Sequence, residues 1–205
     1  MSRLLGQRYA RSDLTLANVF TVARLVMIPI FGFLWATRDD ESALWVFVLA
    51  AATDLIDGFL ARFLNQKSQL GALLDPLADK LLMVVSLLVG VHVGAVPSWL
   101  AVVVIGRDAL LALGVVGLGV IWKGRHGPSS WQPTRIGKYA MFLQTVSIVS
   151  AIVEDILSPE GFRPYVQVIM VAAAILTMVA GAQYSIRAAL ALRRPRTDPL
   201  TSQEG

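Results

Sequence analysis

Residues Thr53 to Lys80 read TDLIDGFLARFLNQKSQLGALLDPLADK and join two strongly apolar runs, ALWVFVLAAA at 43–52 and LLMVVSLLVGV at 81–91. Four aspartates, Asp54, Asp57, Asp75 and Asp79, stand at that junction. A carboxylate beside or within a membrane segment is costly unless it meets a cation, water or a metal, so it calls for a functional reason. On helices, Asp54 and Asp57 are i,i+3 neighbours and Asp75 and Asp79 are i,i+4 neighbours, so each pair shares a face. Two such helices side by side converge all four carboxylates. Unpaired, the carboxylates would repel and take up protons; a hard divalent cation with oxygen ligands is the simplest remedy.

Small residues accompany the acids. Gly58 and Ala61 share the face of Asp54 and Asp57 and clear a surface for a ligand, and Arg62 follows with a planar fork suited to phosphate. Taken singly, each aspartate reads equally well as a helix cap or a solvated interface residue, and each small residue as a packing contact. Capping does not explain the whole constellation.

The stretch follows the pattern D-x-x-D-G-x-x-A-R-x8-G-x3-D-x3-D, with Asp54, Asp57, Gly58, Ala61, Arg62, Gly71, Asp75 and Asp79 at the fixed positions. It resembles the signature of the CDP-alcohol phosphotransferase (CDP-alcohol phosphatidyltransferase) family, in its phosphatidylglycerophosphate synthase and cardiolipin synthase branch. The hydropathy of the whole chain fits that family, so the resemblance covers all but the two tails.

Composition sets the class independently. With 205 residues, 56% hydrophobic and 16% charged, the chain is too apolar to hide its surface as a soluble domain. Mean hydropathy is +0.64. It contains no cysteine, which excludes disulfides and thiolate metal sites. The net charge of +4 suits anionic headgroups, whereas cations dispersed among membrane segments speak against nucleic acid as a partner.

The expected fold is an all-α integral membrane protein of six transmembrane helices, preceded by a short interfacial amphipathic helix. Residues 1–15, with Arg3, Arg8 and Arg11 among Leu4, Leu5 and Tyr9, form a cytoplasmic interfacial segment rather than a cleavable signal. Residues 16–192 form the six-helix catalytic domain, and 193–205 a disordered cytoplasmic tail. The expected spans are Leu16 to Ala36, about Ala43 to Leu64, Gly71 to about Val93, Pro97 to Trp122, a fifth opening near Arg135, and about Tyr165 to Ala191. Pro76 falls in the opening turns of the third, where a missing N–H is tolerated.

Within these spans stand further polar residues. Asn18, Thr21 and Arg24 recur by threes at the head of the first, with Arg24 expected to face the bundle interior or to snorkel. In the fourth, Arg107 and Asp108 either neutralise each other and neighbouring helices or serve the polar site. His92 and His126 are isolated and make poor metal ligands.

Lysine and arginine concentrate in the amino terminus, the second and fourth loops and the carboxyl tail, while the first, third and fifth loops hold little beyond Arg38 and Arg163. Both termini and the signature therefore face the cytoplasm, and the expected location is the bacterial cytoplasmic (inner) membrane.

The resemblance implies transfer of a phosphatidyl group from CDP-diacylglycerol to an alcohol, with release of CMP. It implies Mg²⁺ or Mn²⁺ held by Asp54, Asp57, Asp75 and Asp79, with Asp79 also the catalytic base. Asp54, Gly58, Ala61, Arg62, Asn18 and Thr21 then receive the cytidine diphosphate. Arg135, Gly137, Lys138 and Gln144 are similar to a G-K-x-x-T-x-x-Q stretch of the same branch, with Met141 where threonine is usual. Arg107, Arg135, Lys138 and Arg187 are the expected acceptor-binding cations. Glycerol 3-phosphate is the favoured acceptor and phosphatidylglycerol the alternative; the family implies a homodimer in the lipid bilayer. From another class, a non-catalytic divalent-cation transporter could use the same aspartates, although a pore needs no Gly58, Ala61 and Arg62 beside them.

Overall fold

A computed structural model gives six helices: α1 Leu16–Ala36, α2 Asp40–Leu64, α3 Gln69–Val93, α4 Ser98–Ile121, α5 Arg135–Leu157 and α6 Arg163–Arg193. The structure describes residues 16–64, 69–121, 135–157 and 161–193, with side chains at 19–53, 74–114, 135–157 and 161–187. No strand occurs among the described residues. The expected interfacial segment, the basic loop after α4 and the carboxyl tail lie outside them.

Local signals set the ends. α2 begins earlier than its apolar run because Asp39 caps it, accepting from the Ser42 amide at 3.3 Å, and Asp40 and Glu41 occupy the first turn, where acids favour the helix dipole. α3 ends at Gly94, whose φ of 81° is the left-handed geometry that glycine adopts without penalty. Pro97 separates it from α4, and Pro29 interrupts the ladder inside α1.

The core is mainly apolar, but polar side chains are buried with it and large apolar ones line the outside. Arg24, Thr21, Ser86, Gln144 and Thr177 are buried, while Phe33, Trp45, Val102, Leu110 and Phe142 are exposed. Lipid solvates such an apolar surface, so packing and internal hydrogen bonds hold the helices together. Gln144 on α5 donates to Thr177 on α6 at 2.7 Å, and Thr177 in turn donates to the Ala173 carbonyl. Four helices are long and apolar enough to cross a membrane among the described residues: Val19–Ala36, Leu74–Val93, Arg135–Leu157 and Arg163–Arg187.

One pairing fixes the position of the site. α1 packs on α2 and on α3. Thr21 meets Asp75, Arg24 meets Asp79 and Arg38 meets the Val93 carbonyl, partners 54, 55 and 55 residues apart. A nearly constant offset means that α1 and α3 run parallel and in register. Between these ends, Phe31, Trp35 and Phe47 form an aromatic core with centroids 5.6 and 5.3 Å apart. Gly90 is required there: a β-carbon on it would lie 2.5 Å from Val96 Cγ2 and 2.8 Å from Trp35 Cη2.

Candidate active site

The buried face of α1 presents Thr21 and Arg24, one turn apart and both fully buried. Opposite them, α3 presents Asp75 and Asp79, also one turn apart. The Thr21 hydroxyl donates to Asp75 Oδ1, and Arg24 Nη1 donates to Asp79 Oδ1 at 2.9 Å. Arg24 therefore faces the interior, and no snorkelling is seen. A buried guanidinium is tolerable only with such a partner, and breaking the pair costs far more than the pair contributes. Asp79 keeps 34% of its side chain exposed, so one side of the pair stays open.

A second polar cluster continues this seam. Lys80, next in the chain after Asp79, pairs with Asp108 Oδ2 on α4. Arg107 Nη1 donates to Asp108 Oδ1 at 2.6 Å, and its guanidinium stands 5.8 Å from the Tyr184 ring centroid on α6. α6 approaches closely at Gly181, where a β-carbon would come within 3.1 Å of Arg107 Cγ. Arg107 and Asp108 thus pair with each other and reach neighbouring helices, Asp108 through Lys80 and Arg107 through Tyr184.

The remaining candidates lie on α1, α2, α3, α5 and α6. Arg135 and Lys138 are exposed at the head of α5, and Arg187 is exposed towards the end of α6. Gln144 is engaged by Thr177, a tie between helices. Asp54, Asp57, Gly58, Ala61, Arg62 and Gly71, like Asn18, lie on described helices, but their side chains are outside the described residues. Among the described residues no group of three or more acidic, histidine or cysteine side chains converges as a metal site. The two that are described, Asp75 and Asp79, are hard oxygen donors on one helix face, the donor chemistry that Mg²⁺ or Mn²⁺ takes.

Sequence reasoning missed Lys80 and Tyr184 as partners of Asp108 and Arg107. Counting intramembrane charges would have found the first, because Lys80 needs an opposite charge. At the far end of the bundle, Arg38 donates to Asp155 at 3.0 Å and to the Val93 carbonyl, from a backbone φ of 65°.

An all-helical bundle with exposed apolar helices and a charged seam between α1, α3, α4 and α6 is a membrane protein with a polar site. The CDP-alcohol phosphatidyltransferase family model matches residues 14–180, and the chain belongs to that family. It is accordingly an enzyme of phosphatidyl transfer, which sets aside the transporter reading.

Three relatives refine the comparison. A Mycobacterium tuberculosis protein named "Probable phosphatidylglycerophosphate synthase" is 36% identical over 89% of this chain and 86% of its own length. The Bacillus subtilis CDP-diacylglycerol–glycerol-3-phosphate 3-phosphatidyltransferase is 29% identical over 82% of this chain and 92% of its own. Rat cardiolipin synthase (CMP-forming) is 41% identical over 49% of this chain, and the match spans 34% of the rat protein.

Proposed function

We propose that the protein transfers the phosphatidyl group of CDP-diacylglycerol to glycerol 3-phosphate and releases CMP, as a phosphatidylglycerophosphate synthase. The observation that carries this reading is the pair Asp75 and Asp79 on α3, held from α1 by Thr21 and Arg24 at the head of the seam. The choice of acceptor rests on the relatives: those matched over more than four-fifths of both chains bear the glycerophosphate name, whereas the matches to cardiolipin synthases are shorter, 60% of a putative one from Mycobacterium tuberculosis and 34% of the rat protein.

In the reaction the acceptor hydroxyl forms a new P–O bond to the lipid-linked phosphorus, and the bond from that phosphorus to the CMP oxygen breaks. The hydroxyl proton goes to Asp79. Arg24, fixed on one Asp79 oxygen, orients the carboxylate. Asp54, Asp57, Asp75 and Asp79 would hold a divalent cation, Mg²⁺ or Mn²⁺. Its chemistry there is to offset the negative charge that develops on the diphosphate. Asn18, Thr21, Asp54, Gly58, Ala61 and Arg62 receive the cytidine diphosphate. Arg107, Arg135, Lys138 and Arg187 supply positive charge for an acceptor that carries its own phosphate.

The same reading places all six helices across the bilayer, α2 and α4 included, as one domain over 16–192. Both termini and the site face the cytoplasm of a bacterial inner membrane, and the protein works as a homodimer. CMP release by purified protein, measured with CDP-diacylglycerol and a panel of alcohols, tests the activity and the acceptor together.

A further inference from the structure

The second cluster holds two cations against one carboxylate. Lys80 and Arg107 both donate to Asp108, one to each oxygen, so among the described residues one positive charge of the cluster stays uncompensated. Arg107 is held rigidly, by the Tyr184 ring and by the close approach of α6 at Gly181. Its Nε is buried and has no hydrogen-bond partner among the described residues. A guanidinium offers donors in a planar fork that matches two oxygens of one oxyanion, and among the described residues it makes a single Nη1 bond here. The other half of the cluster is loose. Lys80 has 44% of its side chain exposed, so its pair with Asp108 is partly screened and easily opened.

We propose that Asp108 is a specificity-determining residue: a tethered carboxylate that holds Lys80 and Arg107 until the phosphate of the acceptor displaces it. The inference rests on the reading that the acceptor carries a phosphate ester, and it deepens that reading by assigning Lys80 and Asp108 to acceptor choice. A neutral alcohol cannot take the place of a carboxylate between two cations, because opening the pairs would leave both charges without compensation. A phosphate can, since it brings its own negative charge and several acceptor oxygens. Asp108 thus discriminates by what it excludes as much as by what it releases.

Charge counting gives the test. Asp108→Asn leaves the cluster with two positive charges, Lys80→Gln leaves it neutral, and the double variant restores the native balance. With purified protein at saturating CDP-diacylglycerol, Asp108→Asn should lower the KM for glycerol 3-phosphate about three- to tenfold and Lys80→Gln should raise it by about as much, the scale of one partly exposed ionic contact. The double variant should return to within about twofold of native, and the KM for CDP-diacylglycerol should move less than about twofold throughout. A merely structural salt bridge would shift both single variants in the same direction. That result, an unchanged acceptor KM, or a parallel change in donor KM overturns the proposal. Should Asp108→Asn fail to fold, the double variant must still show a lower acceptor KM than Lys80→Gln; equality overturns it.

The two sources of phosphate are separated by running the same variants with phosphatidylglycerol in mixed micelles. Should the native protein use neither acceptor, the proposed activity fails, and inorganic phosphate becomes the probe. Its stabilisation of the detergent-solubilised protein against heat should then rank Asp108→Asn above native and native above Lys80→Gln. Absence of that order overturns the assignment of Asp108.

Discussion

At the residue scale, the proposed reaction depends on how α1 holds the α3 carboxylates. Asp79 was readable as the last acid of the motif, and i,i+4 spacing put it on the face of Asp75. Its bond to Arg24 was not readable, because the partner lies 55 residues away and nothing in local spacing pairs two helices. Replacing Asp79 by Asn should cut kcat by roughly 10²–10⁴, the usual loss of a general base, while leaving the KM for CDP-diacylglycerol nearly unchanged. Steady-state CMP release decides this, and a variant that keeps its rate while binding donor poorly would contradict the role.

The acceptor cations at the head of α5 make a separate claim. Arg135 and Lys138 are exposed. Arg135→Ala and Lys138→Ala should each raise the KM for glycerol 3-phosphate about tenfold or more, as loss of a charged hydrogen bond worth roughly 1.5–3 kcal/mol implies. The donor KM should hardly change. Equal effects on both substrates would move these residues out of the acceptor site.

At the scale of elements, apolar runs made the helices legible and left their pairing hidden. The ends of α1 and the start of α5 agree with the sequence reading, because hydropathy and the flanking polar residues mark them. The start of α2 was placed late, since the apolar run begins at Ala43 while the helix begins at its cap. The turn between α1 and α2 carries a further consequence. Asp40, ahead of that apolar run, has its carboxyl held above the ordinary value of 3.8 by burial first, then by the neighbouring Asp155 carboxylate, against the opposing pull of Arg38.

The sign follows from linkage. Between the ordinary value and the raised one, the folded state binds more protons than the unfolded state, so stability from this group falls as pH rises through that window. Asp40→Asn should therefore melt at a higher temperature than native protein near neutral pH. The difference should vanish as pH approaches 3.8, the ordinary value of the group. Thermal unfolding in detergent across that range measures it, and a variant less stable at neutral pH would contradict the assignment.

At the scale of the whole molecule, composition and the signature made the class readable: an apolar, all-helical chain that belongs to a family of phosphatidyl-transferring enzymes. The seam from α1 to α6 was only partly readable. Arg24, Arg107 and Asp108 stood out as charges in apolar surroundings, but which helix answers each is a property of packing. The proposed orientation rests on the basic loops. A reporter fused after Gly205 should be active only on the cytoplasmic side, and activity outside would invert the topology.

The most direct measurement incubates purified protein with CDP-diacylglycerol, Mg²⁺ and glycerol 3-phosphate, and follows CMP with and without excess EDTA. The expected result is CMP release together with phosphatidylglycerophosphate, silenced by the chelator and restored by added Mg²⁺. Full turnover in excess EDTA, or CMP release with phosphatidylglycerol or a neutral polyol but none with glycerol 3-phosphate, would contradict it.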